Sequence, residues 1–254
     1  MSTRWLTYAK PKPGARLRLY CFPYAGGSAS VYRTWPEALP PSIEVCPVEL
    51  PGHGTRFLEP LHTAVGPLAR QIAAALAPGM DGEFALFGHS MGALIAFELA
   101  HMLRNDYGLS PMHLIVSAHR APQISDPDPP ISTLTEPEFW AKLRELNGTS
   151  SDVLEHAELL SAVQPLLRAD FTLCDTYRYA PRPPLECPIS AYGGLQDPEA
   201  GHDDLRAWRE QTSAAFRLRM FEGDHFFPRT SFPILRDTLV DDLLRTHSSP
   251  GRCR

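Results

Sequence analysis

The sequence of 254 residues lacks the features that mark metal-bound, secreted or membrane-spanning proteins. Its five cysteines include no Cys-x-x-Cys pair, so the sequence indicates neither a zinc site nor a disulfide framework. A reducing cytoplasm is the expected compartment. No stretch approaches the ~18–20 uninterrupted apolar residues of a membrane span, and the amino-terminal residues contain no apolar run of signal-peptide length. We expect no metal, no membrane association and no secretion.

An excess of positive charge is also missing. Lys and Arg number 24 and Asp and Glu number 29, which gives a formal net charge of −5 and argues against nucleic acid as a partner. The charge is unevenly distributed. Residues 1–36 contain six basic residues and no acidic residue, whereas residues 119–188 contain six basic and eleven acidic residues.

Predicted strands and helices alternate along the chain. The strands are Leu17–Phe22, Ile43–Glu49, Phe84–Phe87, Leu114–Ser117, Ile189–Tyr192 and Phe216–Phe221, and the helices are Val65–Ala77, Met91–Arg104, Leu205–Thr212 and Ile234–Arg245. Pro47 indicates an edge position or a bulge in the second strand. The alternation predicts one α/β domain over residues 1–254, with a mainly parallel sheet and helices on both faces.

One connection is much longer than the others. Roughly 70 residues, 119–188, separate the fourth strand from the fifth, far beyond an ordinary loop. Helices are predicted there at Glu136–Leu146 and Val153–Tyr179, the second broken or kinked at Pro165. Ten of the 26 prolines fall in this insertion, mostly at its two ends. The insertion is a lid hinged at its prolines or a plain helical elaboration, and we favour the lid.

The strongest motif is Gly88-His89-Ser90-Met91-Gly92, which matches G-x-S-x-G between a predicted strand and a predicted helix. In that setting a sharp turn exposes a nucleophilic serine, and residues larger than glycine two positions away would clash across the turn. Ser90 is the candidate nucleophile. The alternative is a serine that caps a helix after a glycine turn.

An acyl-transfer site also needs two backbone N–H groups aimed at the developing oxyanion. Met91 would supply one of them. The glycine-containing loop after the first strand would supply the other, from Ala25 or, as second choice, from Tyr24. The alternative for this loop is a simple flexible turn.

A base and its orienting acid follow the last two predicted strands. His225 comes after Phe216–Phe221 and Asp197 comes after Ile189–Tyr192, which gives the chain order Ser, Asp, His. His89 adjoins the serine and is badly aimed to deprotonate it, and Asp224 would have to fold back on its own neighbour. In this hypothesis His225 deprotonates Ser90, and Asp197 holds the imidazole tautomer.

Apolar candidates for an acyl pocket lie near these motifs and in the insertion. The alternative is that those at helical spacing are ordinary core residues. The candidates are Tyr24, Met91, Trp140, Leu143, Leu146 and Phe226.

Seven segments together form a further pattern, and they are Phe22–Ala29, Glu49–Arg56, Gly88–Ala100, Gly148–Leu154, Leu167–Phe171, Asp175–Tyr179 and Gly223–Phe227. Together they resemble the type II thioesterases, stand-alone editing enzymes of polyketide synthases and nonribosomal peptide synthetases. The resemblance implies an α/β-hydrolase fold with a mobile helical lid, which hydrolyses acyl or aminoacyl thioesters through an acyl-enzyme. It places the family's nucleophile, acid and base on Ser90, Asp197 and His225, and its oxyanion amides on Ala25 and Met91.

The resemblance also implies a partner. The substrate would be carried on the phosphopantetheine arm of an acyl or peptidyl carrier protein, and the enzyme would need no cofactor of its own. Carrier proteins of these systems are typically acidic. The basic amino-terminal segment, including Arg16 and Arg18, could attract one together with Arg168 or Arg178, or it is merely solvated.

The sequence departs from the family pattern at a few positions. His53 stands where many relatives carry Arg, and Cys174 where many carry Ala.

The runner-up functions are a general carboxylesterase acting on free oxoesters and an inactive α/β-hydrolase that only binds. A monomer is expected, since no apolar helix is left unassigned.

Overall fold

The computed structural model describes residues 4–146 and 156–247. In these ranges six strands form one sheet in the order β2-β1-β3-β4-β5-β6, and every neighbouring pair is parallel. The predicted α/β fold is confirmed. The strands are β1 Leu17–Phe22, β2 Ile43–Pro47, β3 Glu83–His89, β4 His113–Ser117, β5 Ile189–Gly194 and β6 Phe216–Phe221.

The sheet is buried on both faces because its side chains alternate between two apolar cores. In β1, Tyr20 and Phe22 join one core, whereas Leu19 and Cys21 join the other. Pro47 lies in an edge strand, where its missing N–H leaves no ladder partner unsatisfied. This strand ends there, two residues before the predicted end.

Eight α-helices lie in the described ranges, and one of the predicted helices has a different form. The predicted helix Leu205–Thr212 is instead a shorter helix followed by a 3₁₀ turn, Ala207–Gln211, that buries Trp208. The helices are α1 Trp35–Ala38, α2 Val65–Leu76, α3 Met91–Tyr107, α4 Glu136–Leu146, α5 Ala157–Asp175, α6 His202–Arg206, α7 Phe227–Thr230 and α8 Phe232–His247. None of the described helices is long and apolar enough to cross a membrane.

The insertion between β4 and β5 forms a small apolar cluster of its own. Helices α4 and α5 supply its buried members, which are Phe139, Trp140, Leu143 and Leu167. Helix α5 continues through Pro165, so the predicted break is absent. We call the described part of the insertion, residues 119–146 and 156–188, the lid. The motif Gly148–Leu154 and the start of the helix predicted from Val153 lie outside the described residues.

Candidate active site

Ser90 lies in the sharp turn that joins β3 to α3. The strand ends at His89 and the helix begins at Met91, and Ser90 between them has φ 54° and ψ −119°. A positive φ costs a non-glycine residue about 1–3 kcal/mol, and such strain concentrates at functional sites. Its N–H donates to the carbonyl of Ser117 at 2.7 Å, which ties the turn to β4.

The glycines of the motif are required by two close backbone approaches. A Cβ on Gly88 would lie 2.0 Å from the carbonyl oxygen of Gly92, and a Cβ on Gly92 would lie 2.1 Å from that of Phe22. Both distances are far inside van der Waals contact. At Gly88 and Gly92 there is therefore room for a hydrogen atom but not for a side chain. This is what lets β3, the turn and β1 pack so closely.

Asp197 and His225, which are 28 residues apart, are in direct contact. The Nδ1 of His225 lies 3.1 and 3.0 Å from the two carboxylate oxygens of Asp197, and both side chains are buried. An ionised carboxylate only accepts hydrogen bonds, so Nδ1 is the protonated nitrogen and Nε2 of the neutral ring is left as the basic one. Asp224, the rejected alternative, accepts instead from the N–H of Phe226 at 2.8 Å.

His89 is arranged as a neutral packing residue. Its Nδ1 lies 2.9 Å from the hydroxyl of Ser117, and its ring centroid lies 5.5 Å from that of His225. Burial, reinforced by the nearby His225 and Arg229, lowers the pKa of His89 well below its ordinary value. His89 is therefore uncharged next to His225.

The two predicted oxyanion amides belong to different segments. Met91 is the first residue of α3, so its N–H has no acceptor within the helix. Ala25 lies in the loop after β1, which is folded by a hydrogen bond from Gly27 N–H to the Tyr24 carbonyl at 2.8 Å. Ala25 and Ser90 line the same cavity.

That cavity, of about 110 Å³, lies between the sheet and the lid. The core supplies Tyr24, Ala25, Ser90, His225 and Phe226 to its wall. The lid supplies apolar side chains, including Leu143, Leu146, Leu167 and Phe171. The cavity can thus hold an apolar group next to the serine and histidine.

Two pocket candidates do not line this cavity. Trp140 packs against Phe139 inside the lid, with ring centroids 5.5 Å apart, and Met91 is buried in the main core. For these two the alternative of ordinary core residues fits the structure. In the described part of the chain, no group of three or more His, Cys, Asp or Glu side chains is placed to hold a metal ion.

Sequence reasoning missed a buried pair beside the site. The Nε2 of His53 lies 2.9 Å from the Oδ2 of Asp170, and the same oxygen accepts the N–H of Gly26 at 2.7 Å. Both residues stand in motifs noted above, but 117 positions separate them. The one hint of this pair in the sequence was His53 itself, which stands where many relatives carry Arg.

The sequence matches a known protein family and several of its named members. Residues 17–243 match the thioesterase domain family. PikA5 of Streptomyces venezuelae, named a thioesterase, is 38% identical over 247 residues, which cover 97% of this chain and 88% of that protein. LgrE of Brevibacillus parabrevis, named linear gramicidin dehydrogenase, is 46% identical over 228 residues, which cover 89% and 87%.

A solved structure agrees over almost the whole chain. The type II thioesterase BorB from the borrelidin biosynthetic cluster superimposes with a TM-score of 0.85 at 36% identity, covering 97% of this chain and 98% of that one. This likeness, like the family match, extends over both the sheet and the lid. This chain belongs to the thioesterase family, among the type II thioesterases of nonribosomal peptide and polyketide pathways.

Proposed function

We propose that this enzyme hydrolyses acyl or aminoacyl thioesters on the phosphopantetheine arm of a carrier protein. Ser90 is the nucleophile, His225 the general base and Asp197 the acid that orients it. The observation that carries the proposal is the buried contact of His225 with Asp197, at 3.0 Å, on the wall of the cavity that Ser90 also lines.

Each reaction step has a residue to perform it. His225 Nε2 takes the hydroxyl proton as Ser90 attacks the thioester carbonyl, and the resulting oxyanion is stabilised by the N–H groups of Ala25 and Met91. Collapse breaks the carbon–sulfur bond, and the imidazolium protonates the departing thiolate. Water, deprotonated by the same histidine, then attacks the acyl-enzyme. The carbon–oxygen bond to Ser90 breaks, the imidazolium returns its proton to the Ser90 oxygen, and the acid is released.

The carrier protein supplies the only prosthetic group in this scheme. The phosphopantetheine arm delivers the acyl group and leaves with a free thiol, so the enzyme needs no metal or cofactor of its own. A cytoplasmic location is part of the proposal and is supported, among the described residues, by the free thiols of Cys21, Cys46 and Cys174. We also propose that the enzyme acts as a monomer.

The test compares an acyl carrier protein loaded with an acetyl group with free p-nitrophenyl acetate. We expect a higher kcat/KM for the carrier thioester, lost to background in Ser90→Ala with an unchanged unfolding temperature. Ser213→Ala, which alters an exposed serine, is the matched control and should keep full activity.

The other outcomes separate the competing functions. Faster turnover of the free ester with no response to the carrier would identify a general carboxylesterase. No turnover of either substrate by the wild type would leave a binding protein. Retained turnover in Ser90→Ala would remove this serine as the nucleophile.

A further inference from the structure

His53 joins the loop after β2 to helix α5 of the lid. Its Nδ1 lies 3.0 Å from the carbonyl oxygen of Pro51, and its Nε2 lies 2.9 Å from Oδ2 of Asp170. A carbonyl oxygen and a carboxylate both accept hydrogen bonds, so each ring nitrogen needs a proton. The geometry therefore describes an imidazolium paired with a carboxylate, and each side chain is only 4% exposed.

Asp170 holds the loop that carries Ala25. Its Oδ2 accepts the N–H of Gly26 at 2.7 Å. One turn earlier on the same helix, Leu167 covers Gly26 so closely that a Cβ there would lie 2.5 Å from the Leu167 Cδ2. Gly26 has φ 78°, which other residues rarely adopt, so its conformation and its contacts are specific.

We infer that His53 and Asp170 are positioning residues for the oxyanion hole. The His53 imidazolium fixes the Asp170 carboxylate, the carboxylate fixes the Gly26 N–H, and the adjacent Ala25 N–H is thereby kept aimed into the cavity. The same pair attaches helix α5 to the core, so lid closure and oxyanion-hole geometry change together. The inference rests on the proposed function, in which Ala25 donates to the oxyanion.

The charges around the pair favour the protonated ring. Burial lowers the pKa of His53, but the hydrogen bond and negative charge of Asp170 outweigh it, helped by Glu49, and the net pKa is raised. Glu49 itself accepts the N–H of Ala29 at 3.0 Å. Cys174, which faces Asp170 on α5, has its thiol pKa raised by burial and stays neutral.

The sign of the pH dependence follows from the raised pKa. A group whose pKa is higher in the folded than in the unfolded protein stabilises the fold at low pH and loses that contribution as pH rises through the folded pKa. The pair is therefore intact below the raised pKa of His53 and broken above it. The kcat should therefore fall as pH rises through the raised pKa of His53 and this ring loses its proton.

The experiment measures kcat and KM against pH for the wild type, His53→Gln and His53→Arg, on both the carrier thioester and p-nitrophenyl acetate. His53→Gln, which removes the charge, should lower kcat about 10- to 100-fold, the scale of a displacement near 1 Å, with little change in KM. His53→Arg keeps a permanent positive charge and should restore kcat while abolishing the alkaline fall. His62→Gln, at a surface histidine that contacts Gln71, should match the wild type.

Hydrogen exchange provides a readout that does not depend on turnover. The amide of Gly26 should exchange faster, relative to its intrinsic rate, in His53→Gln and in the wild type at alkaline pH, but not in His53→Arg. An alkaline fall of kcat that persists in His53→Arg, or unchanged Gly26 exchange in His53→Gln, would overturn the inference. Failure of carrier turnover alone would overturn the proposed function and leave the ester profile and the exchange data to decide this one.

Discussion

At the scale of single residues, the turn at Ser90 depends on the absence of side chains around it. A methyl group on Gly88 would meet the Gly92 carbonyl at 2.0 Å, and both atoms belong to backbone that the sheet and helix hold in place. The strain at Ser90 is thus maintained by packing on both sides. Relief of the clash would require β3 and α3 to move apart.

We therefore expect Gly88→Ala to destabilise the protein by about 1–3 kcal/mol or more, the usual cost of overpacking a filled core, and to abolish hydrolysis. Denaturant unfolding and carrier-thioester turnover would measure both effects. Gly66→Ala is the matched control. Gly66 lies in the first turn of helix α2, and apart from its chain neighbours and the backbone of its own helix nothing lies within 4 Å of the position that a Cβ would take there, so this variant should lose no stability and keep its activity. Equal stability of the two variants would contradict the packing argument.

Sequence order was sufficient to nominate Ser90, Asp197 and His225, because each follows a strand and parallel strands end at one edge of the sheet. The His53–Asp170 contact could not be predicted this way. It joins a loop to a helix across 117 residues, and no local pattern records which buried groups meet. Trp140 illustrates the same limit, since helical spacing shows that it is buried but not whether it faces a cavity or a neighbouring ring.

At the scale of elements, the lid bounds the cavity in which we propose that the acyl group binds. The cavity of about 110 Å³ is smaller than the ~300–1,000 Å³ of sites for drug-sized ligands. Short acyl groups should therefore be preferred while the lid has this position. Leu146, at the end of α4, is half-buried and forms part of the cavity wall.

Leu146→Ala should enlarge the cavity and raise kcat/KM for a hexanoyl carrier protein relative to an acetyl one by roughly tenfold, given that a methylene in an apolar pocket is worth ~1–3 kcal/mol. Steady-state competition between the two substrates measures the ratio. Leu159→Ala, at an exposed leucine of α5, should leave it unchanged. An unaltered ratio in Leu146→Ala would show that the acyl chain lies elsewhere.

The elements themselves were largely predictable, and the errors have local causes. The predicted end of α3 at Arg104 falls short because the helix continues for one turn to Gly108, whose φ of 65° closes it. Pro165 was expected to break or kink α5. Pro165 is exposed. Because proline has no N–H, one carbonyl oxygen of the preceding turn loses its helical hydrogen bond, but water can satisfy it there, so the helix continues.

At the scale of the whole molecule, the basic amino-terminal residues are divided between two ends of the sheet. Arg16 precedes β1, whereas Ser90 follows the opposite, carboxyl end of β3. Arg18 is engaged with Asp81 at 2.7 Å, and Arg168 donates to carbonyls of the lid. Arg33 is exposed and borders a groove that shares Tyr24 and Phe226 with the active-site cavity.

An acidic carrier protein that reaches the cavity should therefore respond to Arg33 rather than to Arg16. We expect Arg33→Glu to lower kcat/KM for the carrier substrate several-fold at low salt, less at high salt because of screening, with no change for p-nitrophenyl acetate. Arg16→Glu is the matched control at the far end of the sheet. A larger effect of Arg16→Glu would restore the docking hypothesis based on the first strand.

The order of the strands has a consequence for the synthesis of the protein. The turn that carries Ser90 needs only β1, β3, β4 and α3, whereas Asp197 and His225, its proposed acid and base, follow β5 and β6 more than a hundred residues later in the chain. A nascent chain emerging from the ribosome would therefore carry Ser90 without that acid and base until residue 225 has been added. Under the proposed mechanism, a product terminated before His225 could not hydrolyse a thioester.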